Sequence, residues 1–290
     1  MSTSPQLDPI YFSSESWHER VNRWLERHSD DTFLQSNVAL IRQIMEHPES
    51  GLRMVVNISA SALLSFLAEG RYRNLYERPI IGGVTRKVSK ERQKVDELLG
   101  FEDHPENYYF GAAALGGTGV RFYGEYCMVL KADEVDPDTQ VLDRDSYDLV
   151  MPPLSESPPS SPKEKVADKL KGKWSRDAID MLTLKVLPEL HGANRLITTG
   201  TVSEMILHDQ DFVELHKEGG IASSSIDEVR QSPDEVAMES RVIARGNAGY
   251  APTALEILWL QRRDQVTQAL EREGIHYRMV TLHGRGYQWR

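Results

Sequence analysis

The sequence predicts an α+β fold, and three kinds of signal predict it. Amphipathic stretches with a helical apolar period open on capping residues near both ends of the 290-residue chain. Short β-branched runs of strand length lie between them. Glycines and prolines stand where those segments must stop.

The elements follow in order. Ser16-Trp17-His18-Glu19 reads as a capping box, in which Ser16 and Glu19 each satisfy an amide of the other's turn. Trp17, Val21, Trp24 and Leu25 then share one helical face. A second amphipathic stretch runs from Asn37 to His47 with Val38, Ile41, Ile44 and Met45, and stops before Pro48. Residues 1–50 are therefore expected to form an N-terminal helical extension. Leu52 to Ile58 is a β-branched run and reads as a strand. Ser59 caps the next helix, whose stripe is Leu63, Leu64 and Leu67, and Gly70 stops it with a left-handed backbone. Ser89 opens another helix, with Val95, Leu98 and Leu99, closed by Gly100. A strand is expected over Glu125 to Leu130, a Pro/Ser-rich loop over 151–162, and a helix from Ser175 with Ile179, Leu182 and Val186. Phe212 to His216 reads as a strand. Ser232-Pro233-Asp234-Glu235 and Thr253-Ala254-Leu255-Glu256 both open helices, the second ending at Gly274. Tyr277 to Leu282 is the last expected strand. Residues 233–290 thus form a helix-helix-strand element expected to pack on the core.

Bulk composition excludes several classes. No apolar run approaches the ~20 residues of a membrane helix, so no membrane partner is expected. The opening MSTSPQLDPIYFSS lacks the basic and apolar regions of a signal peptide. A cytoplasmic protein, or one delivered into a target cell, is expected. Net charge is -10, which argues against non-specific nucleic-acid binding, although the tail from Arg278 to Arg290 is locally basic. The lone cysteine, Cys127, lies in the apolar run YCMVL and reads as a small buried hydrophobe. There is no G-x-S-x-G, no H-E-x-x-H, no cysteine pair and no P-loop. Gly116-Gly117-Thr118-Gly119 is not a dinucleotide fingerprint, because Phe122 stands where the last glycine belongs. No metal site is expected on these grounds.

What remains is a set of patterns in a particular order. Gly70-Arg71-Tyr72-Arg73-Asn74 ends a helix, and Leu75-Tyr76-Glu77 and Gly82-Gly83 follow it. A helix then carries Arg92 and ends in Glu97-Leu98-Leu99-Gly100. Next come Tyr123-Gly124 through Leu130-Lys131, Asp145-Ser146, the Pro/Ser insertion, and Phe212-Val213-Glu214 through Gly219, with Ile226 and Val229 beyond. That order resembles bacterial and phage ADP-ribosyltransferase-like toxin domains, over roughly residues 52–232. The likeness departs at Asn57, where such domains often carry a basic residue, and at Pro79-Ile80-Ile81, which lacks their Ser or Thr.

The resemblance implies split, mostly antiparallel sheets around an NAD cleft over residues 51–232, with NAD consumed as substrate. Cleaving NAD breaks the ribose–nicotinamide bond. The leaving group is already cationic, so no general acid is needed, and the transition state is oxocarbenium-like, as in glycoside hydrolysis. A carboxylate beside the ribose can bind its 2′-hydroxyl and balance the charge. Glu214 stands where such domains place their catalytic glutamate; its plain alternative is an exposed residue on an edge strand. Arg53 and Arg71 are candidates for the pyrophosphate, and Tyr109 and Tyr123 for stacking on the nicotinamide. Asn74 and Ser146 are candidate polar contacts. The loop with His208, Gln210 and Asp211 would select the acceptor, a protein or RNA, and a neutralising antitoxin is a further implied partner. Two other readings stay open: a transferase-like binding module without turnover, and a Mg²⁺-dependent hydrolase or nuclease using Asp143, Asp145, Glu214 and Glu218.

Overall fold

The capping signals act as their chemistry requires. In a computed structural model describing residues 15–77, 88–122, 124–151, 163–193, 195–207 and 212–283, the Ser16 hydroxyl accepts from the Glu19 amide at 3.3 Å. Glu19 Oε2 in turn accepts from the Ser16 amide at 2.8 Å, opening α1 (Trp17–Arg27). Helix α2 (Thr32–Glu46) begins at Thr32 rather than at Asn37, because Asp31 caps it by accepting from the Leu34 amide at 3.0 Å. Ser59 and Ser89 cap α3 (Ala60–Glu69) and α4 (Lys90–Leu99), and Gly70 and Gly100 close them at φ 73° and 82°. Residues 1–14, 78–87, 152–162 and 208–211 lie outside the described residues, and with them Gly82-Gly83, the Pro/Ser loop and the expected acceptor loop.

Among the described residues, ten strands are interspersed with these helices. They are β1 (Arg53–Ile58), β2 (Tyr108–Ala114), β3 (Thr118–Val120), β4 (Tyr126–Leu130), β5 (Gln140–Leu142), β6 (Lys171–Lys173), β7 (Glu214–Glu218), β8 (Ile226–Gln231), β9 (His276–Met279) and β10 (Thr281–His283). Helices α5 (Lys163–Leu170), α6 (Trp174–Leu190) and α7 (Thr199–Ile206) fall between β5 and β7. Helices α8 (Pro233–Asn247) and α9 (Ala254–Glu273) join β8 to β9. Helix α6 is buried on most of its faces because α1, α2 and α7 pack against it. Helix α9 packs on α3, and Gly274 ends it at φ 65°. No helix among the described residues is long and apolar enough to cross a membrane.

The fold is a mixed helix-and-strand arrangement, in line with the α+β expectation. Eight strands form one sheet in the order β6-β5-β7-β2-β1-β4-β8-β9, antiparallel throughout except for β8–β9, while β10 and β3 form a separate parallel pair. The expected split into two sheets is replaced by a fork within one sheet. Strands β1 and β2 pair over only three rungs, Arg53↔Ala114, Met54↔Ala113 and Val55↔Ala112. From there β1 continues along β4 to Ile58↔Tyr126, whereas β2 continues along β7 to Tyr108↔Glu218. Gly111 sits at the divergence. A Cβ there would lie 2.6 Å from the Val55 carbonyl oxygen, so only glycine permits this approach. The C-terminal strand expected over Tyr277–Leu282 is broken at Val280, whose amide donates to Gln231. Its first half extends the main sheet beside β8, and its second half turns to β3. Cys127 is fully buried on β4, and burial pushes its thiol up to about 11.

Candidate active site

The fork opens a pocket of about 260 Å³. Val55, Val56 and Asn57 of β1 line one side, and Tyr108, Phe110, Gly111 and Ala112 of β2 the other. Phe122 and Phe212, with ring centroids 5.2 Å apart, also line it, as do Tyr72, Leu75 and Tyr76 from the segment after α3 and Arg92 from α4. The wall is thus mainly aromatic and apolar with a few polar groups, the usual make-up of a ligand site.

Glu214 lies on the last rung that β1 and β2 share. Ala112 pairs with Glu214 on one side, and Leu142 of β5 pairs with it on the other. Its strand is therefore interior, not an edge, and Glu214 is only 5% exposed while still lining the pocket. A buried carboxylate needs donors. Ser146 supplies two: its amide donates to Glu214 Oε2 at 2.5 Å and its hydroxyl to Oε1 at 3.2 Å. Ser146 is delivered there by a 3-10 turn over Ser146–Leu149 that follows β5. His216, two residues along the same face of β7, places Nε2 3.6 Å from Glu214 Oε1. On its other side, His216 Nδ1 lies 3.1 Å from Gln140 Nε2. Phe101 and Phe110 flank that imidazole.

A second carboxyl group shares the pocket. Asp145 caps the 3-10 turn, and its Oδ1 accepts from the Tyr147 amide at 2.9 Å. Burial first, and then the charge of Glu214, push the Asp145 carboxyl up to about 7. Arg92 is the nearby cation. Its Nε donates to Asp96 at 3.2 Å, its Nη2 lies 3.0 Å from the other Asp96 oxygen, and its guanidinium stacks 3.6 Å over the Phe110 ring. The Tyr76 hydroxyl also donates to Asp96, and burial and that carboxylate raise the phenol to about 12.

The residues singled out from sequence divide into three groups. Glu214 and Ser146 meet, and Asn74 borders the pocket. Asn74 spends its amide on backbone, however, donating to the Glu106 and Tyr108 carbonyls at 2.6 and 3.2 Å and accepting from the Tyr76 and Glu77 amides. It ties the segment after α3 to β2. Arg53, Arg71 and Tyr109 do not line the pocket. The Arg53 guanidinium donates to the Leu52 and Pro48 carbonyls. Arg71 is exposed and pairs with Glu77 at 2.9 Å. Tyr109 lies on the face of β2 opposite Tyr108 and Phe110, buried, with its hydroxyl donating to Glu77 at 2.6 Å. Tyr123 lies outside the described residues, as do His208, Gln210, Asp211 and Pro79-Ile80-Ile81.

Asn57 has a local explanation. Its Nδ2 lies 2.8–2.9 Å from the carbonyls of Val120, Gly124 and Tyr126, so it pins the β3–β4 connection to β1. A lysine or arginine could not make that compact tie. The four carboxylates considered for Mg²⁺ do not converge: Glu218 is exposed at the far end of β7, and Asp143 pairs with Lys185 at 3.5 Å. Among the described residues no group of three or more His, Cys, Asp or Glu side chains is placed to hold a metal. Arg92 stood in the sequence pattern without a site role, and its helix delivers it. Comparison with protein-family models, with curated proteins and with solved structures finds no match to this chain.

Proposed function

We propose that this chain cleaves the N-glycosidic bond of NAD and transfers ADP-ribose to a macromolecular acceptor, with residues 51–232 as an ADP-ribosyltransferase-like core. The observation that carries the reading is Glu214: a carboxylate at the fork of the sheet, held on both oxygens by Ser146 and opening into an aromatic pocket. Such a carboxylate can accept from the ribose 2′-hydroxyl and offset the positive charge that develops at C1′ as nicotinamide departs. Its donors are fixed beforehand, so the site needs little reorganisation in the transition state.

The pocket is smaller than the roughly 300–1,000 Å³ typical of sites that enclose a drug-sized ligand. It suits the nicotinamide-ribose half of NAD, with the pyrophosphate toward Arg92 or the mouth. The aromatic wall from Tyr108, Phe110, Phe122 and Phe212 would stack on the base and exclude water from the ribosyl cation. Resemblance supports a toxin-type role and leaves protein and RNA acceptors both open. Incubating the chain with a cell lysate and NAD labelled in the adenylate part tests the transfer. Label that becomes macromolecular, and then yields to either protease or ribonuclease, identifies the acceptor class. An absence of macromolecular label over the same lysate without the chain would remove the transferase assignment.

A further inference from the structure

We propose that the same pocket also hydrolyses neutral N-ribosides, nucleosides whose departing base must be protonated, and that the Asp145 carboxyl supplies the proton. The inference rests on the N-glycosidic reading of the pocket and adds a substrate class to it. NAD leaves a neutral nicotinamide and asks for no acid. Yet the pocket holds a second carboxyl group that Glu214 chemistry leaves unused.

The two carboxyls are built differently. Both Glu214 oxygens take donors from Ser146. Asp145 takes the Tyr147 amide on Oδ1. The groups that bear on Asp145 are Glu214 from β7, Asp148 and Tyr147 from its own turn, and Arg92 from α4. Burial and the Glu214 charge outweigh Arg92, so its proton is held to about pH 7. A carboxyl that keeps its proton, beside a second whose oxygens both take donors and face the same pocket, supplies the acid and the cation-steadying group that cleavage of a bond to a poor leaving group requires. A pocket of about 260 Å³ lined by aromatic rings fits a base and its ribose rather than a whole dinucleotide.

The step balances. As the C1′–N bond breaks, its electron pair leaves with the base, and the Asp145 proton passes to a nitrogen of that base. Glu214 steadies the ribosyl cation. A water entering the space left by the base adds its oxygen to C1′ and returns a proton to Asp145. One water is consumed, and ribose and free base are released.

The test uses the full chain with inosine and with 7-methylinosine, whose base is already cationic and needs no acid, reading free base by chromatography. The wild type should release base from both. Asp145→Asn retains an oxygen for the Tyr147 amide, and should cut inosine cleavage about 100-fold or more, the low end of a lost general acid. Its loss on 7-methylinosine should be at least tenfold smaller. Glu214→Gln should depress both substrates. Equal losses on both substrates in Asp145→Asn would overturn the acid role. A wild type that turns over NAD but releases no base from inosine would overturn the added substrate class. A wild type inert on all three substrates would overturn the N-glycosidic reading itself, and this inference with it.

Discussion

Replacing Asp145 by Asn should stabilise the chain at alkaline pH and leave it nearly unchanged in acid. Burial and Glu214 disfavour the charged form of Asp145 in the folded state, so its carboxyl rises from the ordinary 3.8 to about 7. The folded chain therefore holds this proton more tightly than the unfolded chain. Wild-type stability falls as pH climbs from about 4 toward 7 and levels off beyond, because the unfolded state ionises first. At about 1.4 kcal/mol for each tenfold change in the proton equilibrium, the full interval amounts to about 4 kcal/mol as a ceiling. Between pH 4.5 and pH 8 roughly 3 kcal/mol of it should be visible. Asparagine carries no charge and keeps an acceptor for Tyr147, so it escapes the penalty. The assay is urea denaturation of wild type and variant across that range. Groups common to both proteins cancel in the difference, which should grow steadily in favour of the variant as pH rises. A difference that stays flat, or that favours the wild type at pH 8, would refute the argument that the site holds two mutually opposed carboxyls.

Other expectations concern the pocket and the residues outside it. Ser146→Ala keeps the amide donor to Glu214 but loses the hydroxyl, a hydrogen bond to a charged group worth about 1.5–3 kcal/mol. Steady-state kinetics should show kcat for NAD down about 10- to 100-fold, and a change in KM alone would contradict the assigned role. Tyr109→Phe should cost about 1–2 kcal/mol of stability through the lost bond to Glu77 and leave nicotinamide release within about twofold; a large loss of release would restore Tyr109 to the site. Arg92→Lys keeps a charge but loses the forked contact with Asp96 and the stack on Phe110. KM for NAD should rise on the order of tenfold, about the worth of one charge-assisted bond, and an unchanged KM would place the substrate elsewhere.

Much of the helical framework was legible because capping is local. Ser16, Ser59, Ser89, Ser232 and Thr253 each announce a helix within four residues, and Gly70, Gly100 and Gly274 each mark an end. Strands were harder. β2 runs through Gly111 and three alanines, which carry little strand propensity, and it forms because β1 and β7 pair with it. β5 and β6 are three residues each and show no period. Glu214 could be chosen by position in a pattern, but its burial could not be read, since Phe212 to His216 looks the same at an edge or in an interior. Arg53 and Arg71 were candidates because arginine suits pyrophosphate; which way each side chain turns depends on the Pro48 carbonyl and Glu77, contacts no spacing encodes. The alternation of β2 separates Tyr109 from Tyr108 and Phe110, a signal that Gly111 and the three alanines after it obscure. Asp145 could be seen, though its environment arises only once β5 and β7 come together.

The central claim is that Glu214, fixed by Ser146 at the fork between β1 and β2, cleaves a ribosyl–nitrogen bond. Glutamine at that position still fits, since its carbonyl can face the Ser146 amide and its NH₂ the hydroxyl oxygen. Nicotinamide released from NAD, measured by chromatography for wild type and Glu214→Gln at equal folded concentration, is the decisive quantity. The account expects steady release by the wild type and a drop of at least about 100-fold in the variant; equal release by the two would contradict it.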